Sequence, residues 1–443
     1  MNKVDSSLSE ILPPELSEKL PVQVRGLRVI KEPSAQLCLA CRAAKLLCGR
    51  PRCPILVRAE NMVLSGLRPL SGTVDGVSPP GVFVGRAGYP KVHAGPLVAA
   101  SEYEARGADT PESWWGMTMD EVISMRYRLI RGMSPIRVEE AADPPESLIK
   151  IQEMVLGLHP LHAELRGCSQ LTNLLEFSDD VHPMGPSFTY SDIRLVSTGS
   201  GGTDGKLEKV YYDTDLPVRD ALVQLYSEGV QVSKIQRALS LGTMGRRAAR
   251  RLVPTRWSIT AVDSLLSLSL IGRAKRLPEV SDCLVYRLQH FESTYVALIF
   301  PEKWGFEWVE AWRENTAWNP SQRGVYLVGD REDFGGRRRY AEPGGCYYSA
   351  RLAAAEALVK SGRSGRVVIL REIHPGYIMP LGVWTVREAV RKLFEQTPVK
   401  FTNPADAVRH AVSETSLNAE TWFSKARLLY ETVVQRRLSD FGE

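Results

Sequence analysis

Four cysteines in one short window set the tightest local constraint on this chain. They are Cys38, Cys41, Cys48 and Cys53 in "LCLACRAAKLLCGRPRCP", separated by two, six and four residues. A Cys-x-x-Cys pair presents both sulfurs to one ion around a tight turn, and a second pair completes a tetrahedron. Gly49, Pro51 and Pro54 supply turn residues beside the second pair. Four of the chain's seven cysteines fall here, so the window reads as a small N-terminal metal knuckle rather than scattered buried thiols. Zn2+ is the expected ion. An iron–sulfur cluster is the alternative, because four cysteines with a proline after the last also suit that chemistry. Arg42, Lys45, Arg50, Arg52 and Arg58 surround the cysteines; read singly, they solvate an exposed knuckle.

The metal reading requires reduced thiols. The first twenty residues, "MNKVDSSLSEILPPELSEKL", hold no apolar run suited to a signal peptide, and no stretch approaches the roughly 18 apolar residues of a membrane span. The expectation is a cytoplasmic protein with no membrane partner. At 443 residues the chain has room for two or three domains, and a net charge of +5 is too small to indicate a polyanion partner by itself. Where the charge clusters matters more.

The expected fold class is α+β, with mixed sheets, helical subdomains and the small knuckle. Residues 1–34 read as a polar, proline-punctuated lead-in and 35–58 as the zinc finger. Gly and Pro are dense from about 60 to 110 ("SPPGVFVGRAGYPKVHAGPL"), which predicts short strands joined by turns. Helical stretches are expected over 117–180, two strands around a Gly-rich loop in "DIRLVSTGSGGTDGKLEKVYYDTD", and helices over 217–272. Beyond about 280, "CLVYRLQ", "TYVALIFP", "GVYLVGD" and "RVVILREI" read as strands. Thr385 and Glu388 stand at capping-box spacing before the last apolar helix but one. Residues 418–438 read as one long final helix, with Trp422, Ala426, Leu429 and Val433 on its inner face.

Charge concentrates in "LGTMGRRAARRLVPTRWS". It carries Arg246, Arg247, Arg250, Arg251 and Arg256 and no acid. The preceding "ALVQLYSEGVQVSKIQRALSLG" has the rhythm of helix, turn and helix, with Gly229 in the turn, so 217–256 is read as a helix-turn-helix-like segment. Five clustered guanidinium groups suit phosphate contacts, which makes these arginines the DNA-binding candidates. The competing reading packs them against acids elsewhere in the fold.

Other signals are weaker. "STGSGGTDGK" lacks both the first glycine and the final hydroxyl of a phosphate loop and reads as a hairpin loop. Asp213, Asp215 and Asp220 lie close together. Asp213 and Asp215 could share a divalent ion on a strand, while Asp215 before "LPVRDAL" also fits a helix start. Trp304, Trp308 and Trp312 recur every fourth residue, which puts them on one helix face; such a stripe could stack bases, and a buried face is the expected reading. His159 and His162 share a helix-like spacing without a third ligand, and His374 follows Glu372 on a strand.

Several blocks, taken together, identify a family. They are "CLACRAAKLLCGRPRC", "PPGVFVGRAGYPKVHAGPL", "RRLVPTRWSITAVDSLLS", "PGGCYYSARLAAAEAL" and "LREIHPGYIMPLGVWTVREAVRKL". In them the chain resembles the archaeal Nre family of DNA-repair proteins, from the cysteines to the C-terminus. The resemblance implies an Nre N-terminal domain over 59–280, an Nre C-terminal domain over 281–430, zinc at the four cysteines, and a role in DNA damage repair. It also implies a clamp-binding tail over 431–443. Family members commonly end in a motif that binds the sliding clamp PCNA: Gln, two residues, an aliphatic, two residues, then one or two aromatics. Gln435, Leu438 and Phe441 match it, and Gly442 stands where a second aromatic often sits. One helical turn there would set Leu438 and Phe441 on one side to plug an apolar pocket.

Three functions remain open on the sequence. One is a clamp-tethered repair factor that holds DNA through basic surface. The second is a repair enzyme, a metal-dependent nuclease or a nucleotide-dependent transferase, with its site in the Gly-rich N-terminal domain. The third is an interaction scaffold without DNA contact.

Overall fold

Alternating apolar runs and Gly/Pro turns build a first mixed sheet, and longer aromatic and β-branched runs build a second. The computed structural model describes residues 18, 41, 45–64, 72–170, 185, 187–196, 202–316, 318–319 and 324–434. The fold is α+β, with helices beside two mixed sheets. The chain divides into two units: residues 1–262 with 378–382, and residues 263–377 with 383–443. The division falls inside the helix Thr255–Ala274.

The sheet of the first unit contains β1 (Gly72–Ser78), β2 (Val82–Val84), β3 (Lys91–Val98), β4 (Ile130–Arg137), β5 (Leu161–Gln170), β6 (Ser187–Thr189) and β7 (Asp192–Val196). Its order is β1-β5-β6-β4-β3-β2, with β7 also paired to β5. Only β4 and β6 run parallel among these pairs. Strands therefore do fill the Gly/Pro-dense stretch from 72 to 98. His162 lies on β5, not on a helix, with Nε2 3.2 Å from Asp75 across the β1–β5 ladder.

The expected second strand after the Gly-rich loop is instead the helix Gly205–Tyr212. Asp204 caps it by accepting from the Lys206 amide at 3.0 Å, and Leu207 and Val210 are buried one turn apart. The helices Val218–Ser227 and Val232–Ser240 follow the expected helix–turn–helix rhythm, with Gly229 at φ +82° between them.

The second unit's sheet contains β8 (Cys283–His290), β9 (Ser293–Phe300), β10 (Gly305–Trp312), β11 (Tyr326–Glu332), β12 (Arg366–Ile373) and β13 (Val399–Phe401), in the order β11-β10-β12-β9-β8-β13. The four strands read from the sequence are all present. Trp304, Trp308 and Trp312 are buried as expected, but on and just before strand β10 rather than on a helix. A four-residue spacing is a multiple of the strand period of two as well as close to one helical turn, so it cannot separate the two. All eight residues of β9 and of β10 are buried, which marks both as central strands.

Two helix ends also differ from expectation. Thr385 lies buried inside the helix Trp384–Leu393, whose cap is Val383, so no capping box forms; Glu388 instead binds Arg387 and Arg391. The final helix is broken into Ala419–Phe423 and Arg427–Val434. The break has a cause. The buried Glu307 carboxylate accepts from the amides of Arg427, Leu428 and Leu429 at 2.7, 3.1 and 3.1 Å, starting a new helix there. Trp422, Ala426 and Leu429 are fully buried, whereas Val433 is exposed.

Candidate nucleic-acid interface

Three segments far apart in sequence are stitched together on the first unit. In the β3–β4 ladder Lys91 stands opposite Arg137. The Val138 amide donates to the Pro90 carbonyl at 3.0 Å, and the Leu252 amide donates to the Val138 carbonyl at 2.9 Å. The Val84 amide, at the end of β2, donates to Thr255 Oγ1 at 2.9 Å and so pins the start of the helix Thr255–Ala274. These bonds bring Tyr89, in the turn between β2 and β3, against Trp257, in the first turn of that helix. Their ring centroids lie 5.3 Å apart with planes at 55°. Both rings are unusually open, at 52% and 44% exposure.

The stitched segments 85–93, 137–143 and 246–257 hold eight cations and three carboxylates, a surplus of five that equals the formal charge of the whole chain. The rest of the protein is electrically balanced. Arg86, Lys91, Arg137, Arg246, Arg247 and Arg251 are exposed, and Arg256 is half-buried. Arg247 Nε donates to the Ala142 carbonyl at 3.4 Å, with Asp143 3.5 Å away. Arg251 donates to the carbonyls of Ala248 and Arg250 at 3.1 and 2.7 Å, leaving its charge without a carboxylate among the described residues.

Arg250 departs from its expected role. It is buried, and it donates to the carbonyl oxygens of Gly245, Tyr211 and Asp213 at 2.9, 2.7 and 3.3 Å, with Tyr211 beneath its guanidinium. It ties the arginine turn to the end of the helix Gly205–Tyr212. Gly245 makes this entry possible: its φ is +97°, and a Cβ there would meet Val218 Cγ2 at 2.5 Å. The helix Val232–Ser240, which a groove-reading protein would expose, is almost wholly buried, and its Lys234 is paired with Asp204 at 2.9 Å. The helix–turn–helix rhythm is architectural here.

Beneath the surface lies a small cavity of about 30 Å³, room for a water or two, walled in part by Val82 and Phe83 of the Gly-rich stretch. Asp109 sits on its floor between two arginines, with Oδ1 2.9 Å from Arg126 and Oδ2 3.0 Å from Arg237. Burial pulls the Arg126 guanidinium below its usual value, and Asp109 pulls it back. The triad holds the loop at 108–109 to the helices Met119–Tyr127 and Val232–Ser240.

Asp213 and Asp215 are exposed in the turn after Tyr212. Asp213 accepts from the amides of Asp215 and Leu216 at 3.2 and 3.0 Å, the work of a turn cap. The helix that follows starts at Val218, after Pro217 rather than Asp215. His374 Nε2 pairs with Thr294 Oγ1 at 3.1 Å, and Glu372 is buried with Arg313 and Ser416.

Of the four cysteines, Cys38 lies outside the described residues, as do Gln435, Leu438 and Phe441. Cys41 and Cys53 are buried and Cys48 half-buried. Turns between them use Leu46 and Gly49, at φ +49° and +74°, closed by a Gly49 amide to Leu46 carbonyl bond of 2.8 Å. Cys53 precedes the helix Pro54–Leu64, and the amides of Leu56 and Ile55 bond to its sulfur. Burial pushes the Cys53 thiol up, those amides pull it down, and the nearby Cys41 and Cys48 add to the rise. Among the described residues, no three His, Cys, Asp or Glu side chains gather as a metal centre would need. Nearby, Arg52 forms an exposed pair with Asp120 at 2.7 Å and Arg50 is buried, so neither faces open solvent as a free cation.

Sequence reasoning missed the surface partners of the arginines: Tyr89, Trp257, Arg86, Lys91 and Arg137. The open signal was a Tyr–Pro pair in a Gly-rich turn and a Trp directly after Arg256.

Among the described residues no helix is long and apolar enough to cross a membrane. No solved structure matches the chain. The archaeal Nre N-terminal family matches residues 47–319, and the archaeal Nre C-terminal family matches 332–441. The chain is 37% identical over 395 residues to DNA repair protein NreB of Archaeoglobus fulgidus, covering 88% of this chain and 96% of that protein. It is 36% identical to DNA repair protein NreA of the same organism, over 84% of this chain and 92% of that one. It is 33% identical to DNA repair protein NreA of Haloferax volcanii, over 75% and 81%. The chain therefore belongs to the archaeal Nre family.

Proposed function

We propose that this protein is a cytoplasmic DNA repair factor that holds DNA on the basic face of its first unit. We propose further that its tail recruits it to the sliding clamp PCNA and that zinc cross-links its cysteine knuckle. The names of the relatives support the repair role. The observation that carries DNA binding is the charge surplus: the formal net charge of the chain equals that of three adjoining segments, whose exposed Arg246 and Arg251 meet no carboxylate among the described residues. Such a surface attracts a polyanion and displaces its counterions. Direct base reading by a recognition helix has no support, because the second helix of the pair is buried.

The zinc proposal rests on the donor set. Three of the four cysteines are described: Cys41 and Cys48 lie within electrostatic reach of Cys53, short of a closed ligand set, and two amides bond to the Cys53 sulfur. Those amides work against the larger push of burial on this thiol, and a bound cation would supply the rest of the stabilisation the thiolate needs. Cys38, Cys41, Cys48 and Cys53 would hold the ion, which supplies a structural cross-link to a segment too short to have a core of its own. The clamp proposal rests on Gln435, Leu438 and Phe441 and on the helix Arg427–Val434, which the Glu307 carboxylate anchors directly before them.

Titration of the full chain with duplex DNA at rising salt tests the central part. Binding should weaken with a log–log slope of about −3 or steeper, from three or more phosphate contacts. No binding at low salt would overturn it. Deleting 435–443 should abolish calorimetric binding to the clamp, and elemental analysis should find one zinc per chain.

A further inference from the structure

We infer that the Tyr89–Trp257 pair is a base-stacking platform, and that the DNA taken by this surface carries unpaired bases. The inference rests on the DNA-binding reading above and goes beyond it, since charge alone does not separate single strands from duplex.

Two large aromatic rings in contact ordinarily bury most of their surface. This pair does not: about half of Tyr89 and of Trp257 stays open although the rings touch at 5.3 Å. Nor is the pair a loose accident of mobile side chains. Trp257 stands on the first turn of a twenty-residue helix whose start is pinned to β2 through Thr255. Tyr89 stands in a tight turn closed by the Lys91 amide to the Gly88 carbonyl at 2.9 Å, with Gly88 at φ +80°. A Cβ on Gly88 would meet the Lys91 carbonyl oxygen at 2.7 Å, so this tight turn requires glycine there. The rings are presented in advance, and little ordering cost remains on binding.

The surroundings choose the occupant. Arg86 and Lys91 flank Tyr89 in the same turn, Arg137 faces Lys91 across the ladder, and Arg256 adjoins Trp257. An apolar protein surface would leave Arg86 and Lys91 unanswered. A nucleic-acid strand answers both features at once: its phosphates meet the cations and its bases meet the rings. In a duplex the base faces are already stacked on one another. A side-by-side ring pair can reach them only where bases are unpaired.

The test compares fluorescence anisotropy of labelled oligo(dT) and of a duplex of equal length with the full chain at one salt concentration. The wild type should favour the single strand. Replacing both Tyr89→Ala and Trp257→Ala should weaken single-strand binding about ten- to a hundredfold, leave the duplex within about twofold, and leave the salt slope unchanged, because stacking releases few ions. Tyr89→Phe with Trp257→Phe keeps two rings and should retain most of the single-strand affinity. An alanine pair that binds oligo(dT) like the wild type, a phenylalanine pair as weak as the alanine pair, or equal losses on both DNAs would overturn the platform while the charged surface stands. A wild type that binds neither DNA would overturn the DNA-binding reading and this inference with it.

Discussion

The interior of the second unit and the arginine turn of the first use the same side chain in opposite ways. Among the described residues of the second unit, the fully buried guanidinium groups each meet a carboxylate. Arg351 lies 2.6 Å from Glu332, Arg387 lies 3.1 Å from Asp263, and Arg371 lies 3.1 Å from Glu310. Arg371 is also enclosed by the rings of Tyr295, Trp312 and Tyr377. Arg391 pairs with Glu356 at 2.7 Å. In the first unit Arg250 and Arg251 bond to carbonyl oxygens among the described residues, and Arg246 and Arg247 are exposed, Arg247 with an equally exposed Asp143 3.5 Å away. A guanidinium that meets a carboxylate inside the fold is neutralised and becomes scaffold, whereas an exposed pair is only weakly coupled. One that meets carbonyls is held in place but keeps its charge. The number of arginines in a segment therefore says little about its field; the identity of their partners decides it.

The largest expected effect comes from breaking a matched pair. Arg351→Ala should cost the second unit about 3–5 kcal/mol, because it strands the buried Glu332 carboxylate. The double change Arg351→Met with Glu332→Leu should recover only part of that loss, because Trp304 Nε1 and the Tyr347 hydroxyl also donate to Glu332, each at 3.3 Å. Urea denaturation measures both, and a single variant less than about 1 kcal/mol below wild type would contradict the scaffold role.

A pH effect of about 3 kcal/mol is expected at Glu307. Burial pushes this carboxyl from its ordinary 4.5 up to about 7, against the pull of the Leu428, Leu429 and Arg427 amides. Between these values the folded chain holds a proton that the unfolded chain has released. Raising the pH through this window therefore lowers stability. Thermal unfolding of Glu307→Gln should lack this part of the pH dependence, and an unchanged profile would show that another group is responsible.

Arg250→Ala should cost about 2 kcal/mol, since three carbonyl acceptors lose a charged donor. Its effect on the salt slope of DNA binding should be small. Arg246→Ala inverts this pattern: stability should stay within about 0.5 kcal/mol while the slope flattens by about one unit. Similar behaviour of the two variants would erase the distinction between held and outward arginines.

Much of this architecture was legible in the sequence. The strands around 283–300 and 366–373 announce themselves by β-branched and aromatic runs, and the helix–turn–helix rhythm by its glycine. The tryptophans at 304, 308 and 312 were correctly placed in the core but on the wrong element, because four-residue spacing serves both periods. The helix Gly205–Tyr212 was missed although Asp204 and the Leu207–Val210 spacing mark it; the preceding glycines drew it toward a hairpin. The candidate interface was half legible. The arginines stand in one run, so their clustering is local information. Tyr89 meets Trp257 only through the fold, and no local pattern pairs them. Nothing in "RRAARR" separates Arg250 from its neighbours either, since its partners are backbone carbonyls that carry no side-chain signature.

The central claim is that the exposed arginine turn of the first unit, not the protein's overall charge, holds DNA. Two triple variants remove the same charge. Arg246→Ala, Arg247→Ala and Arg251→Ala clear the outward residues of the turn. Arg287→Ala, Lys392→Ala and Arg409→Ala clear second-unit cations that face Glu414, Glu395 and Asp406. The slope of log affinity against log salt should flatten by about two to three units in the first variant and hardly at all in the second. Equal slopes in the two variants would contradict the account.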